Sequence, residues 1–151
     1  MALLNIGDKA PDFESVDQNG KRVSLNSFKG KPVVLYFYPK DDTPGCTAEA
    51  CNFRDNSSEF SKHGVAVLGV SVDSSSSHRK FADKYNLNFT LVADDGKNIS
   101  RDYGTLGERS ASRVTYLIDG NGKIAHVYPK VSPKEHALEV MQKLRELKLV
   151  K

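Results

Sequence analysis

Residues 32–46 read PVVLYFYPKDDTPGC, and this stretch decides the fold. Its beginning, PVVLYFY, is apolar and aromatic without polar alternation, as expected for a strand that is buried on both faces of a sheet. A second run of this kind, VAVLGVSV at residues 65–72, follows after a segment of helical character. Two buried strands joined by a helix predict a βαβ unit, in which a right-handed crossover makes the strands parallel.

The segment between these two strands carries the signals of one helix. Thr43 is a good N-cap, Pro44 suits the first helical position, and Gly64 suits the C-terminal stop. Apolar spacing predicts a core-facing stripe that consists of Cys46, Ala50, Phe53, Ser57 and Phe60. The sequence therefore predicts a single helix over residues 43–64, with Cys46 in its first turn and Cys51 off the stripe.

Downstream segments extend the predicted sheet. Phe89–Ala93 is a short strand candidate, and the apolar runs at 114–118 and 124–128 flank the turn sequence DGNG, which predicts a β-hairpin. The four serines at 74–77 are expected to form a solvated loop that ends in a helix cap.

The last element is a helix that should cover the sheet. Ser132–Glu135 has the pattern of a capping box with proline at the first helical position. Its predicted core-facing residues are Ala137, Val140, Met141, Leu144 and Leu147. The whole order predicts an α/β thioredoxin-like fold, a central mixed β-sheet flanked by helices, as a single domain over residues 1–151.

The composition indicates an ordinary soluble globular protein, with 38% hydrophobic and 27% charged residues among 151. The net charge of +3 is spread along the chain without a basic arm, which argues against nucleic-acid binding. The apolar run before Asp8 is too short for a signal peptide, and no segment approaches the ~20 apolar residues of a membrane span. We therefore expect a cytoplasmic protein that binds neither nucleic acid nor membranes.

The two cysteines of the chain, Cys46 and Cys51, are five residues apart in the predicted helix. Such positions point about 140° apart on an α-helix, with their Cα atoms roughly 8.7 Å from each other. A disulfide requires Cα atoms within about 7 Å. The spacing leaves three interpretations open, namely unrelated thiols, two metal ligands, or partners that meet only when the helix comes apart.

Cys46 occupies a position that favours the nucleophilic thiolate. The first turn of a helix combines the positive end of the macrodipole with unpaired backbone N–H groups. Thr43 lies one turn earlier, where its hydroxyl could reach the sulfur or a substrate oxygen, and Gly45 leaves the approach to the sulfur uncrowded. A buried cysteine that acts only as a small apolar side chain is the alternative, but the strand–TPGC–helix setting favours a reactive thiol.

The pattern of Pro39, three residues, Thr43, two residues and Cys46 resembles the active-site motif of the peroxiredoxins. The second cysteine, in CTAEAC at 46–51, is similar to that of the subgroup called peroxiredoxin Q or bacterioferritin comigratory protein. The resemblance extends from GDKAPDF to RVTYLID at 113–119 and so covers essentially the whole chain.

This resemblance implies a thiol-dependent peroxidase that reduces hydrogen peroxide and organic hydroperoxides. Cys46 would be the peroxidatic nucleophile and would become a sulfenic acid. Cys51 would resolve it as an intramolecular disulfide after local unfolding of the helix. Thioredoxin, or alternatively glutaredoxin, would reduce the disulfide. No cofactor or metal would be needed, and a monomer is expected for this subgroup.

The resemblance also implies roles for further residues. Thr43 would hydrogen-bond the peroxide, and Arg113 would stabilise the thiolate and the charge that develops on the departing oxygen. Pro39 would shield the pocket, and Glu49 would orient the arginine. Arg54 is expected to be a packing or ion-pair residue instead.

Other functions remain as alternatives. A thioredoxin-like disulfide oxidoreductase would carry its cysteines two residues apart, unlike the spacing here. A metal-binding module would need more ligands than two cysteines and four histidines without ligand spacing, which are His63, His78, His126 and His136. A redox-regulated chaperone or sensor on the same scaffold stays open.

Overall fold

The structure, a computed structural model, describes residues 2–150 and begins with a hairpin that the sequence analysis did not predict. Strands β1 (Glu14–Val16) and β2 (Arg22–Ser24) pair antiparallel, and a single turn of 3₁₀ helix follows at Leu25–Phe28. The turn between the strands contains Gly20 at φ 76°, a conformation that glycine adopts without strain.

Five further strands form the central sheet. They are β3 (Val33–Phe37), β4 (Ala66–Ser71), β5 (Thr90–Ala93), β6 (Val114–Ile118) and β7 (Ile124–Tyr128). Their spatial order is β5-β4-β3-β6-β7, with β3, β4 and β5 parallel and β6 and β7 antiparallel to their neighbours. The predicted βαβ unit, hairpin and mixed sheet are therefore confirmed, and β3 is the central strand.

Helices cover both faces of this sheet. They are α1 (Pro44–Asp55), α2 (Ser57–Lys62), α3 (Ser75–Tyr85), α4 (Asn98–Asp102) and α5 (His136–Glu146). One face packs on α1, α3 and α5 through a core that includes Val34, Tyr36, Phe53, Phe81, Val140 and Leu144. The other face packs on the N-terminal segment and α4 through a core that includes Leu35, Phe37, Ile99, Tyr103 and Tyr116. Burial on both faces explains why β3 and β6 show no polar alternation.

The segment 43–64 folds as two helices, so the prediction of a single helix is wrong. Asn56, at φ −107° and ψ 8°, separates α1 from α2. Its side-chain Nδ2 donates to the carbonyl of Asn52 at 2.8 Å, and its backbone N–H donates instead to the carbonyl of Phe53 at 3.2 Å. The side chain thus takes the acceptor that a continuous helix would use, which interrupts it. Gly64 follows α2 at φ 70°, as predicted for a helix stop.

The last helix begins later than predicted. The capping box at Ser132–Glu135 does not form, and α5 starts at His136. The backbone N–H of Ala137 donates to Asn52 Oδ1 in α1 at 2.7 Å, so a side chain from another helix supplies the acceptor of a local cap. Leu147 is 39% exposed just past the helix, whereas the other four predicted core residues of α5 are buried.

Three of the four serines at 74–77 are helical, so the predicted loop does not form there. Ser74 is the N-cap of α3, and its hydroxyl accepts the N–H of Ser77 at 3.2 Å. The cap was predicted, but it lies at the start of the run, because one serine satisfies the first turn and the next three continue the helix.

Candidate active site

The start of α1 positions Cys46 in the first helical turn, after the loop that follows the central strand β3. Thr43 is the N-cap in an extended conformation, and Pro44 is the first helical residue, as predicted. The Thr43 carbonyl accepts the N–H of Thr47 at 2.8 Å, whereas its hydroxyl donates to the carbonyl of Lys40 at 2.9 Å and makes no capping bond. Cys46 is 1% exposed and faces the core, so its sulfur lies in a site with little water.

Sheet register brings Arg113 to this position. Arg113 immediately precedes β6, whose first residue Val114 pairs with Phe37, the last residue of β3. The arginine therefore lies beside the loop that leads from β3 into α1. Its Nη2 donates to Cys46 Sγ at 3.4 Å, and its Nη1 donates to Glu49 Oε1 at 2.7 Å.

The guanidinium of Arg113 thus faces two acidic groups. Burial lowers the pKa of Arg113, but the charges of Glu49 and Cys46 raise it by more, so the side chain stays cationic. Glu49 is 0% exposed, and burial raises its pKa from 4.5 to about 7 despite the opposing charge and hydrogen bond of Arg113. No donor among residues 2–150 reaches Glu49 Oε2. Burial therefore favours the protonated form of Glu49 more than in an exposed glutamate, in a carboxyl group that shares Arg113 with the sulfur.

Gly45 is required for the approach of the arginine. A Cβ atom at this position would lie 2.9 Å from Arg113 Nη2 and 3.9 Å from Pro133 Cγ. The sequence suggested an uncrowded sulfur at this point. The geometry adds that the missing side chain makes room for the guanidinium.

The two cysteines are both free and differ in burial. Cys46 is buried on the core-facing side of α1, whereas Cys51, on the same helix, is half-buried. Pro39 is half-buried in the loop before α1. Arg54 donates to the carbonyl of Tyr85 at 2.6 Å and pairs with Asp55 at 2.9 Å, which matches the expected packing and ion-pair role.

The structure also contains a polar cluster that the sequence analysis did not identify. Asp41 and His78 form a buried pair with a distance of 2.7 Å from Oδ2 to Nδ1, and Tyr38 donates to Asp41 Oδ1 at 2.6 Å. In the sequence, Asp41 lies shortly before TPGC, and His78 directly follows the four serines at the start of α3. Their separation of 37 residues leaves no local pattern that would link them.

Residues 6–127 match the AhpC/TSA family. The chain is a peroxiredoxin of this family. A putative peroxiredoxin bcp of Coxiella burnetii is 46% identical over 93% of this chain and 99% of that protein. A chloroplastic peroxiredoxin Q of Sedum lineare is also 46% identical, over 97% of this chain and 81% of that protein.

Solved peroxiredoxin structures share the fold. Peroxidoxin BcpB of Mycobacterium tuberculosis is 34% identical, with a TM-score of 0.85 over 93% of this chain and 96% of that one. A mutant of PrxQ from Xylella fastidiosa is 30% identical, with a TM-score of 0.92 over 97% and 98% of the two chains. The thioredoxin-like fold and the resemblance to the peroxiredoxin Q group are thereby confirmed, and the protein is a thiol-dependent peroxidase.

Two further features of this peroxiredoxin concern metal ions and membranes. No group of three or more His, Cys, Asp or Glu residues between positions 2 and 150 could hold a metal ion. None of the helices in that range is both long and apolar enough to cross a membrane.

Proposed function

We propose that Cys46 is the peroxidatic residue of this thiol-dependent peroxidase, with Arg113 and Thr43 as its partners. The observation that carries the proposal is the guanidinium of Arg113, which contacts Cys46 Sγ at 3.4 Å while Glu49 holds its other nitrogen at 2.7 Å. A cation fixed against a sulfur in the first turn of a helix favours the thiolate, which is the nucleophile in peroxide reduction.

The first step oxidises the sulfur. The Cys46 thiolate attacks one peroxide oxygen, the O–O bond breaks, and the second oxygen leaves as an alkoxide or hydroxide that takes up a proton to give an alcohol or water. Cys46 becomes a sulfenic acid. Arg113 lies where it can stabilise the departing negative charge, and the Thr43 hydroxyl can turn from Lys40 to the peroxide. Pro39 would limit the access of water to this pocket.

The second step uses Cys51. Its thiol attacks the sulfenic sulfur, water leaves, and an intramolecular disulfide forms. Within α1 the two Cα atoms are held roughly 8.7 Å apart by helix geometry, beyond the reach of a disulfide. Residues from Thr43 to about Phe53 would therefore unwind before the bond can form.

The third step returns the enzyme to its reduced form. A dithiol of the thioredoxin type attacks the disulfide and leaves both cysteines as thiols, with glutaredoxin as the second candidate reductant. Hydrogen peroxide and organic hydroperoxides are both proposed substrates, since the centre needs only the O–O bond. The structural study of the Xanthomonas campestris bacterioferritin comigratory protein concerns alkyl peroxide reduction, which supports organic substrates here.

The remaining proposals concern the protein as a whole. We place residues 1–151 in one peroxiredoxin domain that acts as a monomer in the cytoplasm without nucleic acid. The Coxiella burnetii relative supports a domain of this length, because the match covers 99% of that protein.

Mutation of Cys46 tests the assignment of the nucleophile. Cys46→Ser should abolish hydroperoxide consumption with a thioredoxin system, whereas Cys51→Ser should still form a sulfenic acid on Cys46. Retained consumption by Cys46→Ser would exclude this cysteine as the nucleophile.

Mass spectrometry and amide exchange test the second step. One equivalent of peroxide should remove two hydrogens from a monomer, and amides across residues 43–55 should exchange much faster in the oxidised protein. A covalent dimer on a non-reducing gel would show that Cys51 resolves another subunit, and equal protection in both states would rule out the unwinding.

A further inference from the structure

The loop between β3 and α1 is held by a buried polar cluster that takes no part in the chemistry above. The Asp41 carboxylate accepts hydrogen bonds from the Tyr38 hydroxyl at 2.6 Å and from the Ser77 hydroxyl at 2.8 Å. It also contacts His78 Nδ1 at 2.7 Å, and the backbone N–H of Asp41 donates to Asp73 Oδ2 at 2.9 Å. Asp41 is thus held by four hydrogen-bond partners, which are Tyr38, Asp73, Ser77 and His78.

Both ring nitrogens of His78 have a hydrogen-bond partner. Nδ1 faces Asp41, and Nε2 faces the carbonyl of Val92 at 2.9 Å. A carbonyl can only accept, so Nε2 donates to Val92 and Nδ1 is left for the contact with Asp41. The two side chains are 0% and 4% exposed. A hydrogen bond in such a buried site is costly to break, because each partner would be left unsatisfied, and this makes the connection rigid.

Asp42, the next residue of the loop, is held by α3, the helix that also carries Ser77 and His78. Asp42 has φ 58°, in the left-handed region that a residue with a side chain rarely occupies. Lys84 Nζ and the Tyr85 hydroxyl donate to its carboxylate at 2.8 and 2.7 Å. Helix α3 therefore fixes the two residues that directly precede Thr43, although it carries none of the proposed peroxidatic residues.

We propose that the Asp41–His78 pair is an anchor that positions Thr43 and Cys46 for peroxide attack and sets the N-terminal limit of the unwinding of α1. The proposal rests on the proposed function, because it assumes a disulfide between Cys46 and Cys51. That disulfide requires only the residues between the two sulfurs and their neighbours to move. Asp41 and His78 can keep their contacts throughout.

Two consequences follow for the two chemical steps. Attack on the peroxide depends on the position of the sulfur and its partners to within about 1 Å, so a loosened anchor slows this step. The equilibrium between folded and unwound α1 is unaffected by contacts that exist in both states. Disulfide formation should therefore proceed at its normal rate without the anchor, which makes Asp41 and His78 positioning residues.

Rapid-quench mass spectrometry separates these steps. In the Cys51→Ser background it measures the rate at which sulfenic acid forms on Cys46. In the protein with both cysteines it measures the rate at which this sulfenic acid is converted to the disulfide. Asp41→Asn and His78→Ala should slow the first rate about tenfold and leave the second within twofold. His78→Asn, whose amide can restore a donor near Nδ1, should recover part of the lost rate.

Two additional variants separate positioning from general loss of stability. Asp94→Asn is the matched control, because Asp94 is also buried and accepts hydrogen bonds from the N–H groups of Ile99 and Ser100 and from the Ser100 hydroxyl, away from the loop. It should leave both rates unchanged. Tyr38→Phe removes one hydroxyl and keeps the ring, so it should fold and show a smaller decrease of the first rate.

Amide exchange of the oxidised wild-type protein tests the limit of unwinding. The Asp41 N–H should stay protected while amides from residue 43 onward exchange rapidly. The proposal is overturned if this amide loses protection, if folded anchor variants attack peroxide at the wild-type rate, or if both rates fall by the same factor. Failure of the proposed function is distinct, since wild-type protein would then form no intramolecular disulfide.

Discussion

Arg113 donates to Glu49 across 2.7 Å, and the carboxylate in this pair is fully buried while the guanidinium is 20% exposed. One cation therefore lies between a carboxylate on one side and the Cys46 sulfur on the other. Burial raises the pKa of Glu49 to about 7. The charge that Glu49 presents to the guanidinium therefore depends on whether its carboxyl group is protonated.

The raised pKa of Glu49 makes stability depend on pH in a specific direction. Between 4.5, its ordinary value, and about 7, its value in the fold, the folded state binds more protons than the unfolded state. The free energy of unfolding should therefore fall as pH rises through this range, by roughly 3 kcal/mol in total. Urea denaturation of the reduced protein measures this slope.

Glu49→Gln should remove that part of the slope, because glutamine does not titrate. Glu108→Gln is the control, since Glu108 is exposed and its loss should leave the slope as in the wild type. Identical slopes for wild-type and Glu49→Gln protein would contradict the assignment.

Arg113→Lys should slow peroxide attack by about a hundredfold, the order of loss seen when one donor to a developing oxyanion is removed. A lysine cannot donate to Cys46 and Glu49 at once in the fixed geometry of a guanidinium. Sulfenic acid formation in the Cys51→Ser background measures the effect. Arg54→Lys, which alters an arginine that contacts Tyr85 and Asp55, should react at the wild-type rate. Equal rates for both variants would refute the role of Arg113.

Gly45→Ala should slow peroxide attack by moving Arg113. The new Cβ would lie 2.9 Å from Arg113 Nη2, at the end of a flexible side chain that can move away from Cys46. The displaced guanidinium should lower the rate of peroxide attack about tenfold. Gly96→Ala is the control, because a Cβ there would meet only the Asn98 side chain, at 3.6 Å. A fully active Gly45→Ala protein would contradict the proposed contact.

Asn52→Ala should speed disulfide formation. Asn52 Oδ1 accepts the N–H of Ala137 at 2.7 Å, and unwinding of α1 must break this bond. Its removal costs the folded state ~1 kcal/mol and should raise the rate of disulfide formation about fivefold. Rapid-quench mass spectrometry measures the rate. Lys143→Ala on α5, which loses only a surface pair with Glu146, should behave as the wild type, and an unchanged rate in Asn52→Ala would show that α5 does not restrain the unwinding.

Local patterns predicted the sheet well, because strands buried on both faces leave a continuous apolar run wherever they occur. The run at 33–37 became the central strand, and DGNG became the turn of the β6–β7 hairpin. The break at Asn56 and the late start of α5 escaped prediction, since both depend on hydrogen bonds of individual side chains. Asn52 takes part in each of them, once through its carbonyl and once through its Oδ1.

The sequence by itself determined the position of Cys46 and its relation to Cys51. Helix signals at Thr43 and Pro44 place the first sulfur at a helix start, and helix geometry makes five residues too long for a disulfide. Both inferences need only neighbouring residues, because capping and helical rise are local.

Only the tertiary structure decided which distant groups meet at that helix. Arg113, 67 residues from Cys46, reaches the sulfur because β6 pairs with β3 in a register that sets Val114 opposite Phe37. Asp41 meets His78 because the crossover returns α3 over the end of the same strand. Burial then set the charge states, since the pKa of Glu49 depends on the loss of water around it, which no pattern of neighbouring residues specifies.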